Sequence, residues 1–317
     1  MASNEFILVG AAGYIAPRHM AAIQSTGSEL IYACDTSDSV GVLDRYFPNC
    51  KFVLSMEELD KALQDPTLCN VKNSSLGSRF LTICTPNYLH VPHISFGLSH
   101  GFNVICEKPL ALTTNDLLEI ERLERKYARK VYCILQLRLH PHIQELKKKL
   151  DGQFADEELK EKLKVSLTYV TSRGPWYKKS WKYDVRKAGG IETNIGIHFF
   201  DMLIELFGFP SSYSIGEKTS ERLQGSLITP RAEVDFFLSI KKEDLPEKTR
   251  EAGEVSYREM TLNGHSVDFT KGFTDLHTKS YEEILAGRGF GLEDAWATVS
   301  LCESIRLGHN LGEIYEK

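Results

Sequence analysis

The sequence predicts a two-domain α/β chain. A parallel sheet with helices on both faces comes first. A mostly antiparallel sheet with helices on one face follows. Three observations carry this. Short apolar runs alternate with helical stretches through the first 135 residues. After Pro141 strand patterns dominate. The length, 317 residues, suits two cores better than one.

The elements of the first domain, 1–135, read in order. Strands are expected at 6–10, 29–35, 79–86, 103–109 and 131–139. Helices are expected at 16–26, 56–65, 90–101 and 113–130, the last amphipathic with Thr or Asn near its cap. In the second domain, 136–317, a basic helix runs to about Leu150. The acidic stretch 151–162 reads as an exposed loop or short helix. Residues 164–173 are strand-like, and in 231–240 Ala232, Val234, Phe236, Leu238 and Ile240 alternate to one face. Asn263-Gly264 within 257–270 is a two-residue hairpin signal. Helices are expected at 194–208, closed by Gly208, and at 292–310.

Composition narrows the class. The chain is 42% apolar and 26% charged, with a net charge of −5, so it lacks the basic footprint of a nucleic-acid binder. The start, MASNEFILVGAAG, enters a strand and glycine turn with no basic region and long apolar stretch before it. Neither a leader peptide nor a membrane span is expected. Seven scattered cysteines without a CxxC read as free thiols of a cytoplasmic protein.

The first strand runs into GAAGYIAPRH, residues 10–19. Gly10, Gly13 and Ala16 are small where backbone N–H groups must approach a pyrophosphate, with Tyr14 and Ile15 in the same turn. Asp35 closes the second strand, 22 residues beyond Gly13, where an acid can accept both ribose hydroxyls. Thr36 and Ser37 follow it rather than arginine, which favours NAD over NADP. The first domain is thus read as a Rossmann dinucleotide-binding domain.

Lys108 ends a strand of that sheet, in Glu107-Lys108-Pro109, where ligands of open parallel sheets bind. It reads as a donor to a substrate hydroxyl or as a solvated lysine. GGIETNIGIHFFD, 189–201, sets Asn194, His198 and Asp201 at helical spacing. His198 can serve as a general base or as a core histidine. His90, His140, His142 and His277 suggest no metal set, and no metal is expected.

These motifs together resemble the Gfo/Idh/MocA oxidoreductase family. Glu-Lys-Pro at a strand end, the later Gly-Gly-x-x-x-Asn-x-Gly-x-His-x-x-Asp and TPNYLH at 85–90 carry the resemblance, which covers nearly the whole chain. It implies a Rossmann domain followed by an α+β domain with an open-faced, mostly antiparallel sheet that often mediates oligomer contacts. LQLRLHP, RGPWYKKSWK and FTDLHTKSYEEILAGRGFGLEDA resemble the branch that oxidises the 3-hydroxyl of UDP-N-acetylglucosaminuronate with NAD, for surface polysaccharide (O-antigen) synthesis. The resemblance implies Lys108 and His198 beside the oxidised carbinol, with Asn194 third where relatives often carry Asp. It implies Thr85, Pro86, Asn87, His90, Glu107, Lys108 and Gln136 as further cofactor contacts. Arg138, Tyr169, Arg173, Trp176, Tyr177 and Trp181, with Lys108, Asn194 and His198, would meet a UDP-sugar entering between the domains. Lys178 and Lys182 are further cations. The aromatic residues suit stacking and packing equally. The implied partners are the UDP-sugar, 2-oxoglutarate as recycling oxidant, and a second copy of the chain in a dimer or tetramer. A dehydrogenase of a free polyol or aldose is the near alternative. A dinucleotide-binding regulator is the remote one.

Overall fold

The computed structural model describes residues 3–64, 78–156, 161–267 and 275–311. The chain begins with β1 (Glu5–Val9), α1 (Ala16–Ser25), β2 (Glu29–Cys34), α2 (Leu43–Tyr46), β3 (Lys51–Val53), α3 (Met56–Leu63), β4 (Arg79–Ile83), α4 (His90–Ser99), β5 (Asn103–Cys106), α5 (Thr114–Tyr127) and β6 (Val131–Cys133). The six strands form one parallel sheet in the order β3-β2-β1-β4-β5-β6. Phe6, Ile7, Leu8, Leu81, Val104 and Ile105 are fully buried, as expected of a sheet covered on both faces. Strand order reverses between β1 and β4, and open sheets of this kind bind ligands at that point.

Three strands stop earlier than the apolar runs predict. The run at 79–86 ends at Ile83, that at 103–109 ends at Cys106, and that at 131–139 ends at Cys133 before a 3₁₀ turn at Gln136–Leu139. β6 has only three residues of β5 to pair with. Pro86 and Pro109 have no N–H to offer a ladder.

Next come α6 (Pro141–Asp156), β7 (Leu163–Thr171), α7 (Trp176–Lys179), α8 (Val185–Ala188), α9 (Gly190–Asn194), α10 (Ile197–Phe207), β8 (Ser212–Lys218), β9 (Arg222–Ile228), β10 (Ala232–Ser239), α11 (Glu247–Glu251), β11 (Ser256–Leu262) and β12 (His265–Ser266). The second sheet runs β12-β11-β7-β10-β9-β8, antiparallel except where β7 meets β10. The predicted alternation holds: Ala232, Val234, Phe236, Leu238 and Ile240 are all buried. Asn263 and Gly264 turn the β11–β12 hairpin with positive φ at both residues. The rest of the expected hairpin, 268–270, lies outside the described residues.

β8 and β9 have no counterpart in the sequence-based reading. Their segments, SYSIGEK and RLQGSLI, carry too few apolar residues for a strand signal. The single helix expected at 194–208 is two, broken at Ile195-Gly196. A Cβ on Gly196 would lie 2.6 Å from the Glu192 carbonyl oxygen and 2.8 Å from the Phe200 ring.

Two helices close the chain, α12 (Leu276–Leu285) and α13 (Leu292–Leu307). They change the expected domain boundary. The first compact unit comprises Met1–Ala111, Asn115–Ile134 and Asp275–Asp294; the second comprises Leu112–Thr114, Leu135–Thr274 and Ala295–Lys317. A single cut at 135 misses the return of 275–294. Tyr281 and Ile284 of α12 belong to the core that Phe6, Met20 and Ile23 form, and the Phe6 and Tyr281 rings lie 5.6 Å apart. No helix among the described residues is long and apolar enough to cross a membrane.

Candidate active site

The cofactor turn follows from tight backbone geometry. Gly10 has φ +88°, and a Cβ there would stand 2.7 Å from the Cys84 carbonyl carbon and 2.8 Å from the Thr85 nitrogen. Only glycine lets the end of β1 pass so close to the end of β4. A Cβ on Gly13 would lie 3.0 Å from the Gly10 oxygen. Tyr14 is 85% exposed. No side chain caps α1 at Ile15, and Pro17 stands in its first turn. Asp35 is clamped: Oδ2 accepts the Ala12 N–H at 2.9 Å and Oδ1 accepts the Ser37 N–H at 2.9 Å. Each oxygen keeps a second lone pair for a ligand hydroxyl. This turn, with small residues at Gly10–Gly13 and an oriented acid beside it, fits a dinucleotide. Gly10→Ala should lower stability by about 1–3 kcal/mol and weaken NAD binding at least tenfold. Thermal melts and an NAD fluorescence titration check this, and wild-type values in both would remove the close approach as a requirement.

The segments after β4 and β5 are joined beneath the surface. His90 is fully buried, with Nδ1 2.6 Å from the Pro109 carbonyl oxygen and Nε2 3.0 Å from that of Thr85. Burial pushes its pKa down, against those two contacts. His90 therefore sits between the two loops, within hydrogen-bond distance of a carbonyl of each. Thr85 Oγ1 meets His93 Nδ1 at 3.0 Å, and Asn87 is buried. The Lys108–Pro109 bond is cis, and Lys108 is half-buried just past β5. The Glu107 carboxylate lies beneath the same loop. It is buried and bonded to His19 and His277, so its side chain faces the interior.

In the second unit, Asn194 ends α9 and its Nδ2 donates to the Tyr177 hydroxyl at 2.8 Å. Tyr177 is buried and orients Asn194. His198 is half-buried in the first turn of α10. Tyr169 packs on Phe199, with centroids 4.6 Å apart.

Asp201 lies one turn beyond His198 in α10. It is buried, bonded to Arg138 Nη2 at 2.7 Å and Nε at 3.1 Å, and to the Thr298 hydroxyl at 3.1 Å. Burial pushes its pKa up, and the Arg138 guanidinium opposes that. Arg138 also reaches Glu205 at 3.4 Å. Arg138 thus pairs with two carboxylates of its own chain. Lys178 pairs with Glu221 at 2.9 Å.

Better placed for an anion are exposed Arg173 and half-buried Lys182. Lys182 Nζ lies 5.5 Å from the Trp181 ring centroid and 5.8 Å from that of Trp176. Burial, then Arg173, lowers its pKa. Trp176 is 53% exposed. Gln136 Oε1 is buried without a hydrogen-bond partner among the described residues, an acceptor that a ligand donor would complete.

The sequence reading also missed a polar group in the first unit. His19, Glu107 and His277 present ligand-type atoms within 4.8 Å of one another, all buried. Its partners lie too far apart in sequence for spacing to reveal. The one local signal is His277 and Tyr281 at i, i+4 on a single helix.

Comparison with known proteins identifies the family. Residues 5–134 match the oxidoreductase family Gfo/Idh/MocA, NAD-binding Rossmann fold, and residues 154–235 match its C-terminal alpha/beta domain. The WlbA (WbpB) dehydrogenase from Thermus thermophilus, crystallised with NAD and alpha-ketoglutarate, is 41% identical. The match covers 96% of this chain and 95% of that one, with a TM-score of 0.87. A second structure of it, with NAD and UDP-GlcNAcA, matches at 40% identity over 96% and 95%, again at 0.87. The D-glucoside 3-dehydrogenase of Escherichia coli is 24% identical over 146 residues, 45% of this chain and 40% of that enzyme's length. The chain belongs to the Gfo/Idh/MocA oxidoreductase family, and its first domain is an NAD-binding Rossmann domain.

Proposed function

We propose that this family member is an NAD-dependent dehydrogenase that oxidises the 3-hydroxyl of UDP-N-acetylglucosaminuronate to the 3-keto sugar. The observation that carries the reading is the 40% identity, along nearly the whole chain, to a dehydrogenase crystallised with NAD and UDP-GlcNAcA. Gly10, Gly13 and Asp35 hold the cofactor's pyrophosphate and adenosine ribose. NAD, when bound, supplies the hydride acceptor. His198 takes the proton of the 3-hydroxyl. Lys108 donates a hydrogen bond to that oxygen and stabilises its developing charge. A lysine's ordinary pKa of about 10.4 suits it to donate rather than to act as base. Asn194, oriented by Tyr177, holds a sugar hydroxyl, since an amide cannot relay the proton as a carboxylate would.

Arg173 and Lys182 meet the anionic groups, and Trp176 and Trp181 offer stacking faces. With 2-oxoglutarate as recycling oxidant, the enzyme works as a cytoplasmic homo-oligomer in surface polysaccharide synthesis. The test is NADH absorbance with purified protein, NAD and UDP-N-acetylglucosaminuronate, with and without 2-oxoglutarate. UDP-N-acetylglucosamine and myo-inositol serve as controls. Reduction with the uronate alone is expected. Turnover of inositol, or silence with NAD bound, would replace this reading with a polyol dehydrogenase or a regulator.

A further inference from the structure

Five buried side chains of the first unit form one hydrogen-bonded chain ending at the lysine loop. Thr82 Oγ1 lies 2.9 Å from the Tyr281 hydroxyl, which lies 2.9 Å from His19 Nδ1. His19 Nε2 meets Glu107 Oε1 at 2.9 Å, and His277 Nε2 meets the same oxygen at 3.0 Å. Glu107 Oε2 accepts the backbone N–H of Lys108 at 3.2 Å. Thr82, His19 and Tyr281 are 0% exposed, so water does not complete this chain from outside.

The direction of every bond follows from elementary chemistry. Burial alone would push the Glu107 carboxyl up, but the His19 and His277 hydrogen bonds reverse this and hold it well below the usual range. Glu107 is therefore a carboxylate and only accepts. Burial lowers the His19 pKa, so its ring is neutral and has one proton, on Nε2. Nδ1 must then accept, so the Tyr281 hydroxyl donates to it. Tyr281 in turn accepts from Thr82. Three N–H groups converge on one carboxylate, and one of them is the backbone of Lys108.

We propose that this chain is the positioning device for Lys108, with His19 from α1 and His277 and Tyr281 from α12 holding Glu107 and, through it, the lysine backbone. The inference rests on the dehydrogenase reading, in which Lys108 polarises the reacting oxygen. A buried charge with this many partners is a costly way to fill a core, since apolar side chains would do so at least as stably. A network of fixed direction instead leaves the residue after Glu107 little freedom. It also gives the return of 275–294 to the first unit a purpose, because two of the five side chains arrive with it.

The test uses full-length protein with His277→Leu, His277→Gln and Tyr281→Phe. His277→Leu should lower kcat about 10- to 100-fold, as small misplacement of a catalytic group does, while NAD affinity and KM stay within about twofold. His277→Gln, whose amide N–H can replace Nε2–H, should recover most of the loss. The split between kcat and KM, together with rescue by His277→Gln, separates position from packing. Facing Glu107 besides the two histidines are Cys84, Cys106, His90, Tyr281 and Lys108, and Arg18 acts on His19. The Gln variant preserves all of them.

An unchanged kcat in folded His277→Leu, equal loss in both His277 variants, or a stoichiometric divalent metal in the purified protein would each overturn the proposal. Where His277→Leu does not fold, Tyr281→Phe removes the donor to His19 and the acceptor of Thr82, and an unchanged kcat there also overturns it. ¹⁵N-histidine NMR of the wild type is independent of turnover. A neutral His19 protonated at Nε2 supports the chain, and an Nδ1–H ring or an imidazolium breaks it. If the wild type oxidises no UDP-sugar, the dehydrogenase reading falls while this spectrum still decides the network.

Discussion

His198→Asn should lower kcat for UDP-N-acetylglucosaminuronate by about 10²–10⁴-fold, the usual contribution of a positioned general base. The amide keeps the polar character of the site but has no basic nitrogen. His198 is half-buried in the first turn of α10, so the substitution leaves no large cavity. NAD affinity should stay near wild type, because the cofactor turn and Asp35 belong to the other compact unit. Steady-state kinetics with a parallel NAD titration check this. A kcat within about threefold of wild type would pass the base role to another group, Lys108 first.

Lys108→Met should cost about 10²–10³ in kcat, near 2.7–4 kcal/mol, as loss of a preorganised oxyanion donor does. Methionine keeps an unbranched, flexible stem and removes the ammonium. If the lysine acts on the reacting oxygen, the deuterium isotope effect at C3 should rise toward its intrinsic size, because hydride transfer becomes slower than product release. The double variant should be little worse than the more damaging single, since two groups acting on one hydroxyl are not additive. Strict additivity of the two losses would mean that they serve different steps.

Much of this was legible in the chain itself. β1, the Gly10–Ala16 turn and α1 lie within 21 consecutive residues, Glu5–Ser25. Their pattern of apolar run, small residues and helix is local, so it could be read directly. The alternation in β10 and the Asn263-Gly264 turn were visible for the same reason. Where local signals were weak the reading missed, as with the polar strands β8 and β9. Where side chains are judged by type alone, their partners stay out of view. Arg138 has the chemistry of a phosphate binder, but its partner Asp201 lies 63 residues away and takes it inside. His90 and Glu107 stand in two separate motifs, and their side chains meet backbone carbonyls and histidines that no local pattern reveals.

The sequence by itself determined the fold class, the dinucleotide turn with its acid, and the placement of Lys108 at a strand end. Periods of 2 and 3.6 residues and short motifs are properties of neighbours along the chain. Only the tertiary structure decided which polar groups remain available to a ligand. That depends on pairing across long separations: 262 residues between His19 and Tyr281, and 170 between His277 and Glu107. A buried donor or acceptor must find a partner, and the fold determines which one lies within 3 Å.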